Sequence, residues 1–145
     1  MSAATKPPAA PLETLLPAGW AAPKGYANGM AGSGRLVFVG GQIGWNGECV
    51  FETDEFLGQL RQALVNVVAI VAEAGGRPEH VASMTWYLVD RRAYLADLAA
   101  VGRVWREIMG RHYPAMAVVE VTALMEPRAK VEVQAFAVLP EGAAR

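Results

Sequence analysis

The chain predicts an α+β fold, a mixed sheet with helices packed on one face. Three observations carry that expectation. Two long segments keep apolar residues at helical spacing, several shorter ones are dense in strand-forming residues, and their order is hairpin, helix, strand, helix, strand, strand. No internal linker or short-period repeat interrupts that order, so residues 23–145 read as a single domain.

Residues 1–22, rich in Ala and Pro and lacking the continuous apolar core of a signal peptide, read as a flexible arm. Tyr26–Ala31 and Arg35–Val39 flank Gly32-Ser33-Gly34, which predicts a β-hairpin. Gly40-Gly41 then falls inside a strand pattern, where paired glycines mark a bulge or the close approach of a ligand or a neighbouring helix.

From Asp54 to Ala74, Phe56, Leu60, Leu64, Val67, Val68 and Val71 recur at helical spacing. Thr53 or Asp54 offers an N-cap, and Gly75-Gly76 ends the pattern. Val81–Val89 is continuous enough in strand formers to predict a central strand covered on both faces. Asp90 caps a second helix from about Arg91 to Met109, with Leu95, Leu98, Val101, Trp105 and Ile108 on its apolar side and Gly110 as its stop. Trp86 and Trp105 are expected in the core. Val118–Leu124 and Lys130–Val138 alternate as half-buried strands, the second more cleanly than the first.

At 145 residues the chain builds a core without disulfide or metal staples. Apolar residues make up 53% of it and charged ones 19%, an apolar excess that predicts surface buried between subunits. The net charge of −1, with no Lys/Arg cluster, argues against a nucleic-acid partner. Cys49 is the only cysteine, which fits a reducing compartment, and His80 and His112 keep no ligand spacing with it, so no metal site is expected. They read as surface or turn residues. No run reaches transmembrane length without polar interruption, so the expectation is a soluble, cytoplasmic protein with no membrane partner.

The chemistry-bearing residues are Glu120 and Glu132, each a lone carboxylate among uncharged strand neighbours. Withdrawn from water, either has the raised pKa of a proton-transfer group; on the open face of a sheet, either is simply solvated.

Further motifs narrow the reading. Gly25-Tyr26-Ala27-Asn28, Leu36-Val37-Phe38-Val39-Gly40-Gly41-Gln42-Ile43, Gln62-Ala63-Leu64-Val65-Asn66-Val67, Glu73-Ala74-Gly75-Gly76, Tyr113-Pro114-Ala115 and Val131-Glu132-Val133 together resemble the RidA (YjgF/YER057c/UK114) superfamily over about Pro23 to Pro140. The resemblance implies a chorismate-mutase-like fold, a mixed six-stranded sheet with two helices on one face, and a barrel-like homotrimer with clefts where subunits meet. It also implies hydrolysis of enamine and imine acids such as 2-aminoacrylate and 2-iminopropanoate, without metal or organic cofactor. By the same resemblance, Glu132 handles the attacking water and Tyr26 lines the cleft.

The chain departs from that pattern at three polar positions. The arginine that pairs with the substrate carboxylate is replaced by Met116, an asparagine by Gly102 and a serine by Gly40. A thioether cannot form the bidentate, charge-assisted pair of a guanidinium with a carboxylate. The expected substrate is therefore less anionic or larger than 2-aminoacrylate, in an intersubunit cleft lined by Met116 and Trp45 and opened by Gly40 and Gly102. Backbone N–H groups near Gly40 or Val118 are the candidate oxyanion donors, and Gly41 is a further candidate substrate-binding position. Arg128 either supplies the missing cation from another direction or is a solvated turn residue. The alternatives are a trimeric small-molecule binding protein without catalysis and, less in keeping with the charge balance, an endoribonuclease or translation inhibitor.

Overall fold

A computed structural model describes residues 12–142. Of the arm expected over residues 1–22, residues 1–11 lie outside the described residues, while Leu12–Leu15 form strand β1. The other strands are β2 (Gly29–Gly32), β3 (Arg35–Ile43), β4 (Val81–Leu88), β5 (Ala115–Glu120) and β6 (Val131–Leu139). The helices are α1 (Phe56–Glu73), α2 (Arg91–Ala96) and α3 (Leu98–Met109).

Among the described residues the six strands divide into two sheets: β1 pairs with β2, and the main sheet has the order β3-β6-β4-β5. In the main sheet β6 runs antiparallel to β3 and β4, while β5 runs parallel to β4. The α1 crossover joins β3 to β4 and the α2–α3 crossover joins β4 to β5, as parallel strands require.

The expected hairpin between Tyr26–Ala31 and Arg35–Val39 does not form, because β2 pairs with β1 and β3 pairs with β6. Gly34 supplies the reason. A Cβ there would stand 1.9 Å from the carbonyl oxygen of Leu139, so the bare backbone admits the end of β6 beside β3. Gly40-Gly41 is a bulge, since three steps from Val39 to Gln42 face two steps from Ala135 to Val133.

The core lies between the sheet and α1 and α3. Leu60, Leu64, Val67 and Val71 of α1 have no exposed surface, each burial contributing about 1.5–3 kcal/mol. They pack on Val39 of β3, Met84, Trp86 and Leu88 of β4, and Val131, Val133, Ala135 and Ala137 of β6. The opposite face of β4 carries half-buried Thr85 and Tyr87, so only the helix side of that strand is fully covered. The second predicted helix is two: Asp97 leaves the helical conformation and its carboxylate accepts from the Ala100 amide, starting α3 afresh. β5 ends at Glu120, short of the predicted Leu124, where the Glu120 carboxylate accepts from the Arg91 amide at the start of α2. The N-cap of α1 is Glu55 rather than Thr53 or Asp54; Thr53 Oγ1 accepts from the Glu55 amide and Asp54 pairs with Arg128.

Candidate functional site

β5 is an edge strand, and its Met116 and Val118 point to the helix side, where α3 stands off from the sheet. Between them lies a cavity of about 500 Å³. Its floor is a run of rings: Trp86 meets Tyr94 edge-on at 6.2 Å and Trp105 at 5.8 Å, and Trp105 stacks on Tyr113 at 6.2 Å and 13°. The Trp105 indole N–H donates to the His112 carbonyl, fixing that ring. Trp86, 2% exposed, leaves its indole nitrogen buried without a partner among the described residues, a state that costs about 1–3 kcal/mol.

Tyr26 reaches this cavity because the next residue is stitched to the edge strand. The Ala27 amide donates to the Pro114 carbonyl at 2.9 Å, and Ala27 bridges Ala115. Gly102 lies on the α3 wall, where a Cβ would stand 3.1 Å from the Arg106 guanidinium. Tyr26, Gly102, Met116 and Val118 are thus brought together. Two rim residues were not singled out in the sequence, Lys24 and Arg106. For Arg106 a signal was present: four residues after Gly102, it shares that glycine's helix face.

The remaining candidates stand elsewhere on the chain. Glu132 projects from the sheet face away from the helices, opposite Tyr87 in the β4–β6 ladder and Ile43 in the β3–β6 ladder. Its carboxylate lies over the glycine bulge, since a Cβ on Gly41 would fall 2.0 Å from Glu132 Oε1. Glu132, Gly40 and Gly41 therefore form one group, with Tyr87 as a neighbour that sequence reading did not select. Trp45 packs on Phe51 with ring centroids 5.8 Å apart, and Arg128 lies over the Phe51 ring at 5.2 Å while bonding Asp54 at 2.9 Å. Glu120 is exposed and serves the start of α2.

Both histidines are held by the backbone. His80 Nδ1 accepts from the Arg77 amide, and His112 Nε2 donates to the Val81 carbonyl at 2.6 Å. His80 is buried rather than on the surface, and burial chiefly lowers its pKa, with Arg77 and His112 adding to the effect and Glu79 opposing it. Among the described residues no three His, Cys, Asp or Glu side chains gather as metal ligands.

The family model of endoribonuclease L-PSP matches residues 19–139. The chain belongs to this family, the RidA/YjgF superfamily. Within that superfamily, a 2-iminobutanoate/2-iminopropanoate deaminase of Salmonella typhimurium is 32% identical over 108 residues, covering 72% of this chain and 80% of that protein. A RutC family protein of Pyrococcus abyssi is 35% identical over 94 residues, or 63% of this chain and 69% of the relative. Among solved structures, a Rid-family protein of unknown function from Yersinia pestis superposes with a TM-score of 0.79 at 26% identity, covering 89% of this chain and 99% of that one. The YjgF gene product of E. coli gives 0.62 at 31% identity, over 78% and 87% of the two chains. The α+β fold with a mixed sheet is that of the RidA/YjgF structures. Within it, Asn66 of the Gln62–Val67 motif acts structurally: its amide donates to the Ile43 and Trp45 carbonyls and accepts from Gln62, tying α1 to the end of β3.

Proposed function

We propose that this chain is a cofactor-independent hydrolase of the imine/enamine deaminase type, acting on a substrate larger than 2-aminoacrylate in a cleft between subunits of a homotrimer. The observation that carries this reading is the placement of Glu132. Its carboxylate is held over a glycine bulge on the sheet face away from the helices, beside backbone freed from the ladder, while Tyr26, Gly102 and Met116 line a cavity on the helix side. Two such half-sites on opposite sides of one sheet call for a second copy to bring them face to face.

In that cleft Glu132 takes a proton from water as its oxygen attacks the C=N carbon and passes that proton to the nitrogen; the resulting carbinolamine gives its hydroxyl proton to the same nitrogen by way of Glu132 and expels ammonia to leave a carbonyl. Bulge amides at Gly40 and Gly41 steady the negative charge that develops during attack. The deaminase named among the relatives supports this reaction class, and the loss of arginine at Met116 supports the change of substrate. A ribonuclease reading gains nothing from His80 and His112, which are both engaged by backbone groups.

A second reading, a binding protein without turnover, is favoured by one specific observation: within the chain, Glu132 does not share a cavity with Met116. The rate of 2-iminopropanoate loss, measured for the unmodified chain, Met116→Arg and Met116→Arg with Glu132→Gln, separates the two. We expect acceleration only when arginine is present and Glu132 is intact. An inert Met116→Arg protein that still binds the acid would favour the binding protein.

A further inference from the structure

We infer that the cavity between β5 and α3 takes a ligand with an aromatic ring and a carboxylate, and that Arg106, rather than any residue at position 116, is its anion anchor. The inference rests on reading this cavity as the substrate cleft, and it names the substrate class.

Shape and charge both lead there. Tyr26, Trp86, Tyr94, Trp105 and Tyr113 all line the cavity, and their rings, edge-on, tilted and stacked, offer an aromatic lining against which a planar ring can pack face-on or edge-on. Among the described residues the only charged groups on its walls are Lys24 and Arg106, both cationic. Among the described residues neither is in a salt bridge, whereas Arg61, Arg77, Arg92 and Arg128 each hold a carboxylate. Both are exposed at the rim of the cavity, so their attraction for an anion placed beside the rings is screened by salt.

Gly102 gives Arg106 room on this wall. The guanidinium lies over the bare glycine, where a Cβ would stand 3.1 Å from Nη1 and shift it by a few tenths of an ångström, and a longer side chain would crowd it further. Thus the glycine read from the sequence as extra room has a second consequence: it admits a cation from α3 to a cavity whose β5 position has become Met116. The anion is then held at the α3 wall, so a ring fits between it and the β5 edge. A two- or three-carbon acid lacks that reach.

The test is isothermal titration of the full chain with 2-naphthoate, its neutral analogue 2-naphthamide, and acetate as a ringless acid. We expect 2-naphthoate to bind about 10-fold or more tightly than either comparator, with a preference over the amide that shrinks as salt rises. Arg106→Gln should bring the acid down to the level of the amide, and Gly102→Asn should do the same by displacing the guanidinium. Arg103→Gln, an exposed cation on the same helix outside the cavity, should leave the preference intact. Equal affinity for acid and amide, a preference that survives Arg106→Gln, or no binding of either probe at millimolar concentration would overturn the inference. Because the readout is binding, a chain that never turns over an imine leaves the anchor standing. A failed preference likewise leaves the role of Glu132 standing.

Discussion

Gln59 has no exposed surface, and every polar group it carries is used: its amide donates to the Thr53 and Arg128 carbonyls and its carbonyl accepts from the Lys130 amide. Replacing it with leucine leaves three backbone groups without partners, and we expect a loss of about 3 kcal/mol in urea unfolding. His80 makes stability depend on pH. Its pKa in the folded chain lies below the ordinary 6.5, so the unfolded chain binds that proton more readily. The contribution of the neutral buried ring is complete above about pH 6.5 and is lost as pH falls toward the lowered folded value. His80→Gln should flatten that part of the stability profile, as read by thermal unfolding across pH 5 to 8. Neither residue announced itself in the sequence, since a glutamine in a helix and a histidine two places after a proline are ordinary surface residues until the chain closes over them.

At the scale of elements, the bulge in β3 and the strand β6 act together. Glycines 40 and 41 signalled a bulge or the close approach of a ligand or helix; the bulge forms and re-aims β3, while what comes close to Gly41 is the Glu132 carboxylate of the neighbouring strand. Gly41→Ala would push that carboxylate aside while the rest of β6 stays buried on the helix side. In the Met116→Arg background we expect a far-ultraviolet spectrum unchanged and a fall in 2-iminopropanoate turnover on the order of 10²-fold. The split of the second helix at Asp97 and the exchange of partners by β2 were not legible. Helical spacing runs on through a capping residue, and a glycine turn looks the same whether its flanking strands pair with each other or with distant ones.

For the whole molecule, the sheet face away from the helices poses the main question. Leu36 and Phe38 are 60% and 69% exposed and Phe136 39%, with Phe38 and Phe136 in edge contact at 5.5 Å. A patch of that kind beside Glu132 fits the proposed homotrimer and the apolar excess of the composition. Sedimentation equilibrium should give three chains for the unmodified protein, and Phe38→Glu should yield single chains that remain folded. A monomer in both cases would remove the intersubunit cleft.

The sequence by itself determined the α+β class, the order of helices and strands after the hairpin, the core role of Trp86 and Trp105, and membership of the RidA/YjgF superfamily, and it offered the bulge as one of two readings. Each is written in periodicity, in glycine placement or in motifs along the chain. Only the tertiary structure decided that Tyr26, Gly102 and Met116 share one cavity while Glu132 stands on the other side of the sheet. It also placed Arg106 on the cavity wall and drew Arg128 away to Asp54. Alternation states that two residues face opposite ways. Which face the helices cover, and whether one helix turns its cation toward a cavity, depends on how the crossovers pack.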